Sequence, residues 1–210
     1  MNGYRTIAHE SEIEIVIKKS RFLGYAFLVN SPEQAAEKLS ALRKQHWDAS
    51  HHCSAYVLGA DKQLQKYSDD GEPQGTAGMP ILQVLHHKDI TDTMVVVVRY
   101  FGGVLLGAGG LVRAYSEAAA KALDAAGICQ YVPVIRCSFA VDYARWARIE
   151  RFLQASEILL QQTDYGAEVT CTGLVRTENW ETFKTSLSDH CEGRMEFRSV
   201  QEEIAPWPAD

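Results

Sequence analysis

Residues 95–115, VVVVRYFGGVLLGAGGLVRAY, constrain the fold more than any other stretch. TMVVVVRYF is apolar at odd and even positions alike, so both faces of that strand must be covered and it belongs in the middle of a sheet. GLVRAYSEAAAKALDAAG, closed by Gly127, then reads as a helix of about five turns. Five glycines fall within nine residues between these elements: Gly102, Gly103, Gly107, Gly109 and Gly110. Glycine loses much backbone freedom when ordered, so such a cluster marks tight turning or close approach to another group.

The rest of the chain divides into two runs of alternating elements. EIEIVIK and RFLGYAFLVN read as paired strands, and Ser31-Pro32-Glu33 opens a helix that extends to about His46. CSAYVLGA and KQLQKYS are strands, SDDGEPQGTAG is loop, and GMPILQVLHH is a short helix. After Pro133 the order becomes strand, helix, strand, strand, helix, strand, the split βαβ of ferredoxin-like domains. The expected class is α+β, with two domains at 1–134 and 135–210. The closing APWPAD is expected to add no element.

Composition excludes several classes. The chain has 210 residues, 46% hydrophobic and 23% charged, and no apolar run long enough to span a membrane. Its beginning lacks a signal-peptide core, so a cytoplasmic protein is expected. Five cysteines without a C-x-x-C pair fit reduced thiols. Residues 1–134 hold 13 Lys+Arg against 14 Asp+Glu, and residues 135–210 hold 8 against 13. A general nucleic-acid binder carries a basic excess, so any RNA contact must come from a local patch. IKKSRF, with Lys18, Lys19 and Arg21, supplies one.

The glycine cluster matches neither familiar phosphate code. Gly107 and Gly109 begin G-x-G-x-x-G, but Val112 stands at its third glycine. Gly102 and Gly107 have P-loop spacing, but Ala108 and Gly109 replace Lys and Ser/Thr. A glycine-rich turn leading into a helix still leaves unpaired amides at a positive dipole end, with Arg99 and Arg113 close in sequence. Two uses remain open: close packing, or contact with an anion or a partner's backbone.

Asp69, Asp70 and Glu72 place three carboxylates within four residues. They suit either a magnesium-phosphate site or a turn whose Asp side chains bond nearby amides around a positive-φ Gly71. His51, His52 and Cys53 are metal-ligand types, but neighbours entering a strand point to opposite faces and no fourth ligand has suitable spacing. The expectation there is a strand entry with one histidine outside and a buried Cys53. Trp146, Phe152, Trp180 and Phe183 fall at helical spacing and are assigned to core. No catalytic constellation, metal or cofactor is assigned.

SDDGEPQGTAGMPIL and VVVVRYFGGVLLGAGGLVRAY together resemble the signature of the IMPACT family, with IKKSRF and HHCSAY as further blocks. The resemblance implies an N-terminal left-handed βαβ domain of the kind found in ribosomal proteins and in domain IV of elongation factor G. It implies a C-terminal domain like that factor's domain V, and a role near translation. The expected function is non-enzymatic: RNA, a ribosome or a translation factor is bound through Lys18, Lys19, Arg21, His52, Asp69, Asp70, Glu72, Arg99, Tyr100, Gly102, Gly103, Gly107, Gly109, Gly110 and Arg113. The alternative is an enzyme acting with magnesium on a phosphorylated small molecule or nucleotide. No membrane partner is expected, and the oligomeric state is left open.

Overall fold

A computed structural model describes residues 3–207. The chain forms two compact units, one built on Tyr4–Gln130 and the other on Tyr131–Pro206. The N-terminal unit contains β1 (Tyr4–Ile7), β2 (Ser11–Ile17), β3 (Ser20–Leu28), α1 (Pro32–Gln45), β4 (His51–Leu58), β5 (Leu64–Ser68), α2 (Gly78–His87), β6 (Thr93–Tyr100) and α3 (Ala108–Ala126). β1 was not anticipated from the sequence.

The N-terminal sheet has the order β2-β3-β6-β4-β5, so β6 is its central strand. Val95 and Val97 pack with residues of α2 and α3, while Met94, Val96 and Val98 pack with Ala35 and Leu42 of α1 on the opposite face. The two-residue alternation of a strand thus explains why every position of that run is apolar. β3 and β4 both pair antiparallel with β6, so they run parallel to each other and α1 is the crossover between them. Ser31 starts α1 by accepting the Gln34 amide at 3.3 Å, Pro32 stands in its first turn, and Arg43 and Lys44 stand in its last.

α3 lies tight against the sheet through Ala114, Ala118, Ala119, Ala122 and Ala126, all fully buried. Gly24 on β3 completes this fit. A Cβ there would lie 2.8 Å from the Ala118 carbonyl oxygen and 3.3 Å from the Ala122 Cβ.

The C-terminal unit follows the ferredoxin-like order: β7 (Ile128–Val141), α4 (Tyr143–Ala155), β8 (Ile158–Tyr165), β9 (Val169–Arg176), α5 (Trp180–His190) and β10 (Phe197–Trp207). β9 lies between β7 and β8, antiparallel to both, and β10 pairs with the other edge of β7. Trp146, Phe152, Trp180 and Phe183 belong to this unit's core, as their spacing implied.

Two boundaries differ from expectation. The units separate between Gln130 and Tyr131 rather than at 134, and β7 runs unbroken through Pro133. The ladder to β9 begins at Val134, so the residue without an amide hydrogen lies outside that register. Ala205, Pro206 and Trp207 extend β10 instead of forming a structureless tail, and the last three residues of APWPAD lie outside the described residues. Among the described residues no helix is long and apolar enough to cross a membrane.

Substituting Gly24→Ala should destabilise the protein by about 1–3 kcal/mol, because the new methyl group overpacks against helix backbone that has no room to yield. Urea denaturation would measure it as a lowered midpoint.

Candidate functional site

The strand registers bring the sequence blocks to one end of the N-terminal sheet. Ile17 pairs with Ser20 across the β2–β3 turn, Arg21 pairs with Tyr100, His51 with Arg99, and Ser54 with Ser68. The β2–β3 turn, the start of β4, the exits of β5 and β6 and the N-terminus of α3 therefore share that end. The signature residues there form two layers, one buried and one open.

Glu72 and Arg99 form the centre of the buried layer, with side chains 3% and 6% exposed. Arg99 donates from Nη1 to Glu72 Oε1 at 2.6 Å, and the Tyr115 hydroxyl of α3 donates to the same oxygen at 2.7 Å. Arg99 Nη2 also reaches Ser20 Oγ at 3.4 Å, and that oxygen accepts the Gly102 amide at 3.1 Å. Arg99 shares the sheet face of Val95 and Val97 because strand parity places it there, beneath α3.

Asp69 and Asp70 are also engaged internally. Asp69 accepts the amides of Gly75, Ala77 and Gly78 at 2.8, 3.0 and 2.8 Å, which satisfies the N-terminus of α2. Asp70 accepts the His52 amide at 2.6 Å and the Arg43 guanidinium at 2.6 Å. Gly71 takes φ +88°, as the turn requires. The carboxylates that the magnesium alternative needed are thus bonded to the protein's own amides, arginines and Tyr115, and they serve architecture.

At the strand entry His51 is partly exposed, while His52 and Cys53 are buried. His51 donates from Nδ1 to the Asp70 carbonyl at 2.8 Å. His52, on the opposite face, is buried near Arg43 and His46, and burial holds its pKa below the ordinary 6.5. Cys53 is fully buried, donates to the Asp69 carbonyl at 3.0 Å, and has its thiol pushed up to about 12, chiefly by burial. Such a thiol is not a nucleophile at neutral pH.

In the open layer, Lys18 and Lys19 form the two-residue β2–β3 turn with φ +45° and +69°, positions where Asn-Gly is the usual occupant. Holding two lysines left-handed costs about 1–3 kcal/mol each, and such strain concentrates where side chains are presented for use. Gly102 makes the turn's close approach possible. A Cβ there would lie 2.1 Å from the Lys19 carbonyl carbon and oxygen.

The glycines beyond it face outward. A Cβ at Gly103, Gly107 or Gly109 would meet nothing within 4 Å, while Gly110 faces Leu106 at 3.0 Å. Gly107, at φ +73°, precedes α3 without a side-chain cap, and the first closing bond runs from the Leu111 amide. The amides ahead of Leu111 are left open, at a positive dipole end.

Arg21 is less available than the sequence suggested. Glu14 accepts from it twice, at 2.8 and 3.0 Å, and its guanidinium lies 5.4 Å from the Tyr100 ring centroid. The Tyr100 hydroxyl contacts His46 Nδ1 at 2.9 Å and Asp48 Oδ1 at 3.3 Å. Arg113 is exposed and curls back to the Gly109 carbonyl at 3.2 Å.

Of the fifteen residues singled out, Lys18, Lys19, Gly103, Gly107, Gly109 and Arg113 belong to the open layer. His52, Asp69, Asp70, Glu72, Arg99 and Gly102 shape it from below. Sequence reasoning missed Trp47, Phe101 and Leu105 on the surface and Tyr115 beneath it. Trp47 is 81% and Leu105 83% exposed. A signal was available: both are large apolar residues outside any helical or strand period.

Residues 18–123 match the family model of the Impact N-terminal domain, which spans every residue of the two layers, and residues 139–194 match a domain of unknown function, DUF1949. The chain belongs to the IMPACT family. The IMPACT family member YvyE of Bacillus subtilis (strain 168) is 37% identical over 94% of this chain and 91% of its own. The IMPACT family member YigZ of Escherichia coli (strain K12) is 35% identical over 89% and 92%. Protein IMPACT of Bos taurus is 38% identical over 45% of this chain and 31% of its own. A crystal structure titled as that of a hypothetical protein superposes with a TM-score of 0.61 at 34% identity, covering 97% of this chain and all of that one. Two-domain IMPACT architecture therefore extends over essentially the whole chain.

Glu72→Gln should cost about 3–5 kcal/mol, since it strands the buried Arg99 charge. Tyr115→Phe, which removes one hydrogen bond to the carboxylate, should cost about 1–3 kcal/mol. Denaturant midpoints of both variants measure this. His52 gives a pH signature with a definite sign. Its folded pKa lies below the unfolded value near 6.5, so the unfolded state protonates first as the pH falls. Its contribution is intact above pH 6.5 and is lost as the pH drops through that value toward the lower folded one. Unfolding midpoints of His52→Asn should fall less steeply with acidification there than those of wild type.

Proposed function

We propose that this IMPACT family member is a non-enzymatic, translation-associated binding protein that docks on RNA of the translation machinery through the open layer of its N-terminal sheet end. One observation carries this proposal: two left-handed lysines, an exposed glycine loop and the uncapped N-terminus of α3 emerge together there. Among the described residues, no carboxylate lies within ion-pairing distance of Lys18, Lys19, Lys44 or Arg113. Cations without a carboxylate partner beside free amides form a surface suited to phosphate. The family resemblance, with its implied likeness to ribosomal proteins and elongation-factor domains, supports the translation setting. The cytoplasm is the compartment that goes with it.

The near-neutral balance of residues 1–134 fits a local contact rather than general nucleic-acid affinity. With the three carboxylates of the 69–72 turn engaged internally, no observation favours phosphoryl chemistry.

Co-sedimentation of the full chain with ribosomes tests the proposal. Wild type should pellet with ribosomes at low salt and release as salt rises, and Lys18→Glu/Lys19→Glu should remain in the supernatant. Equal behaviour of the two proteins, pelleted or not, overturns it.

A further inference from the structure

Trp47 is among the most exposed large apolar residues of the described chain. It follows α1 directly, 81% exposed, in a turn that is pinned on every side. The His46 amide bonds the Leu42 carbonyl at 2.8 Å, and its ring bridges the hydroxyls of Tyr25 and Tyr100 at 2.8 and 2.9 Å. The Ala49 amide returns to the His46 carbonyl at 3.0 Å, and the Ser50 amide reaches the Arg99 carbonyl at 2.8 Å. Ser50 Oγ in turn accepts the Phe101 amide at 3.2 Å. A pinned turn thus presents an indole to water, and Ser50 at its end holds the amide of a half-exposed Phe101 whose ring lies 5.5 Å from the buried Arg99 guanidinium.

The surroundings restrict what can cover that indole. Lys44 precedes it in the last turn of α1. β3 and β4 flank β6, so the Lys18–Lys19 turn that opens β3 and the Trp47 turn that leads into β4 lie at the same end of the sheet. Of the carboxylates nearby, Glu14 is paired with Arg21 and Asp70 with Arg43, while Asp48 accepts from the Tyr100 hydroxyl at 3.3 Å and keeps its charge. Flat aromatic area beside unpaired cations is complementary to a chain of alternating bases and phosphates. A duplex stacks its bases on one another and offers no free face, whereas an unpaired base does.

We infer, resting on the function proposed above, that the RNA this surface takes is single-stranded, with an unpaired base stacked on Trp47 and flanking phosphates held by Lys18 and Lys19.

Fluorescence titration of the full chain with a 12-nucleotide oligouridine and with a 12-base-pair RNA duplex tests this. The single strand should bind at least tenfold tighter and quench tryptophan emission. Trp47→Ala should weaken that binding about 5- to 150-fold, the range for removing one base–aromatic stack. Trp47→Phe should recover most of it, and both variants should keep the wild-type melting temperature because the side chain is exposed. Lys18→Ala/Lys19→Ala should reduce the slope of log affinity against log salt by about 0.7 for each phosphate that is no longer neutralised.

Duplex binding equal to or tighter than the single strand overturns the inference, as does unchanged affinity in Trp47→Ala. In either case, lysine-dependent ribosome co-sedimentation would leave the charged docking surface standing. Ribosome association without affinity for either RNA would also overturn the inference and assign the surface to a protein partner. Failure in both assays removes both proposals.

Discussion

The ion pair between Glu72 and Arg99 lies where β6, α3, the β2–β3 turn and the loop after β5 meet. Arg99 is placed by the parity of a central strand, and its guanidinium is always charged. A charge in that position must be met by an opposite one with its hydrogen bonds satisfied, because an unpaired buried ion is costly. The loop is therefore drawn inward until Glu72 reaches it. Whatever such a pair adds to net stability over an apolar substitute, its hydrogen bonds tie together the four connections that meet there.

The other two carboxylates follow from that inward course. Asp69 falls where the first amides of α2 need an acceptor, and Asp70 falls where the β4 entry and Arg43 need one. The two helix N-termini at this end of the sheet are thereby treated differently. α2 is neutralised by a carboxylate of its own chain, while α3 follows a bare glycine and keeps its amides open. Ser20, through the Gly102 amide, holds the lysine turn against the glycine loop. The buried layer positions backbone and the open layer presents it.

Much of the fold was legible because its causes are local. The all-apolar run of β6, the Ser31 cap of α1 and the strand-helix order after Pro133 each follow from periodicity or turn chemistry. Where expectation and structure part, a non-local contact decides. Pro133 resembled a boundary because proline ends ladders, yet its strand continues because the β9 register starts one residue later. His52 was assigned to the binding surface, but it is buried, which no sequence spacing could indicate. Trp47 passed unnoticed because periodicity directs attention to patterned apolar residues, whereas its signal was the absence of any pattern.

By itself the sequence determined most of the strands and helices, β1 and the end of β10 excepted, that they form two α+β domains, and that family membership centres on the glycine and acidic blocks. Those properties depend on side-chain periodicity, caps and turn residues, which act over a few positions. The tertiary structure alone decided that the charges of the acidic block and Arg99 are engaged internally and that the lysine turn, the glycine loop and Trp47 are exposed at the same end of the sheet. The physical reason is that burial and pairing are properties of position in the packed sheet. Glu72 and Lys18 are both charged residues in turns, and only strand register and helix cover determine that one is enclosed and the other meets water.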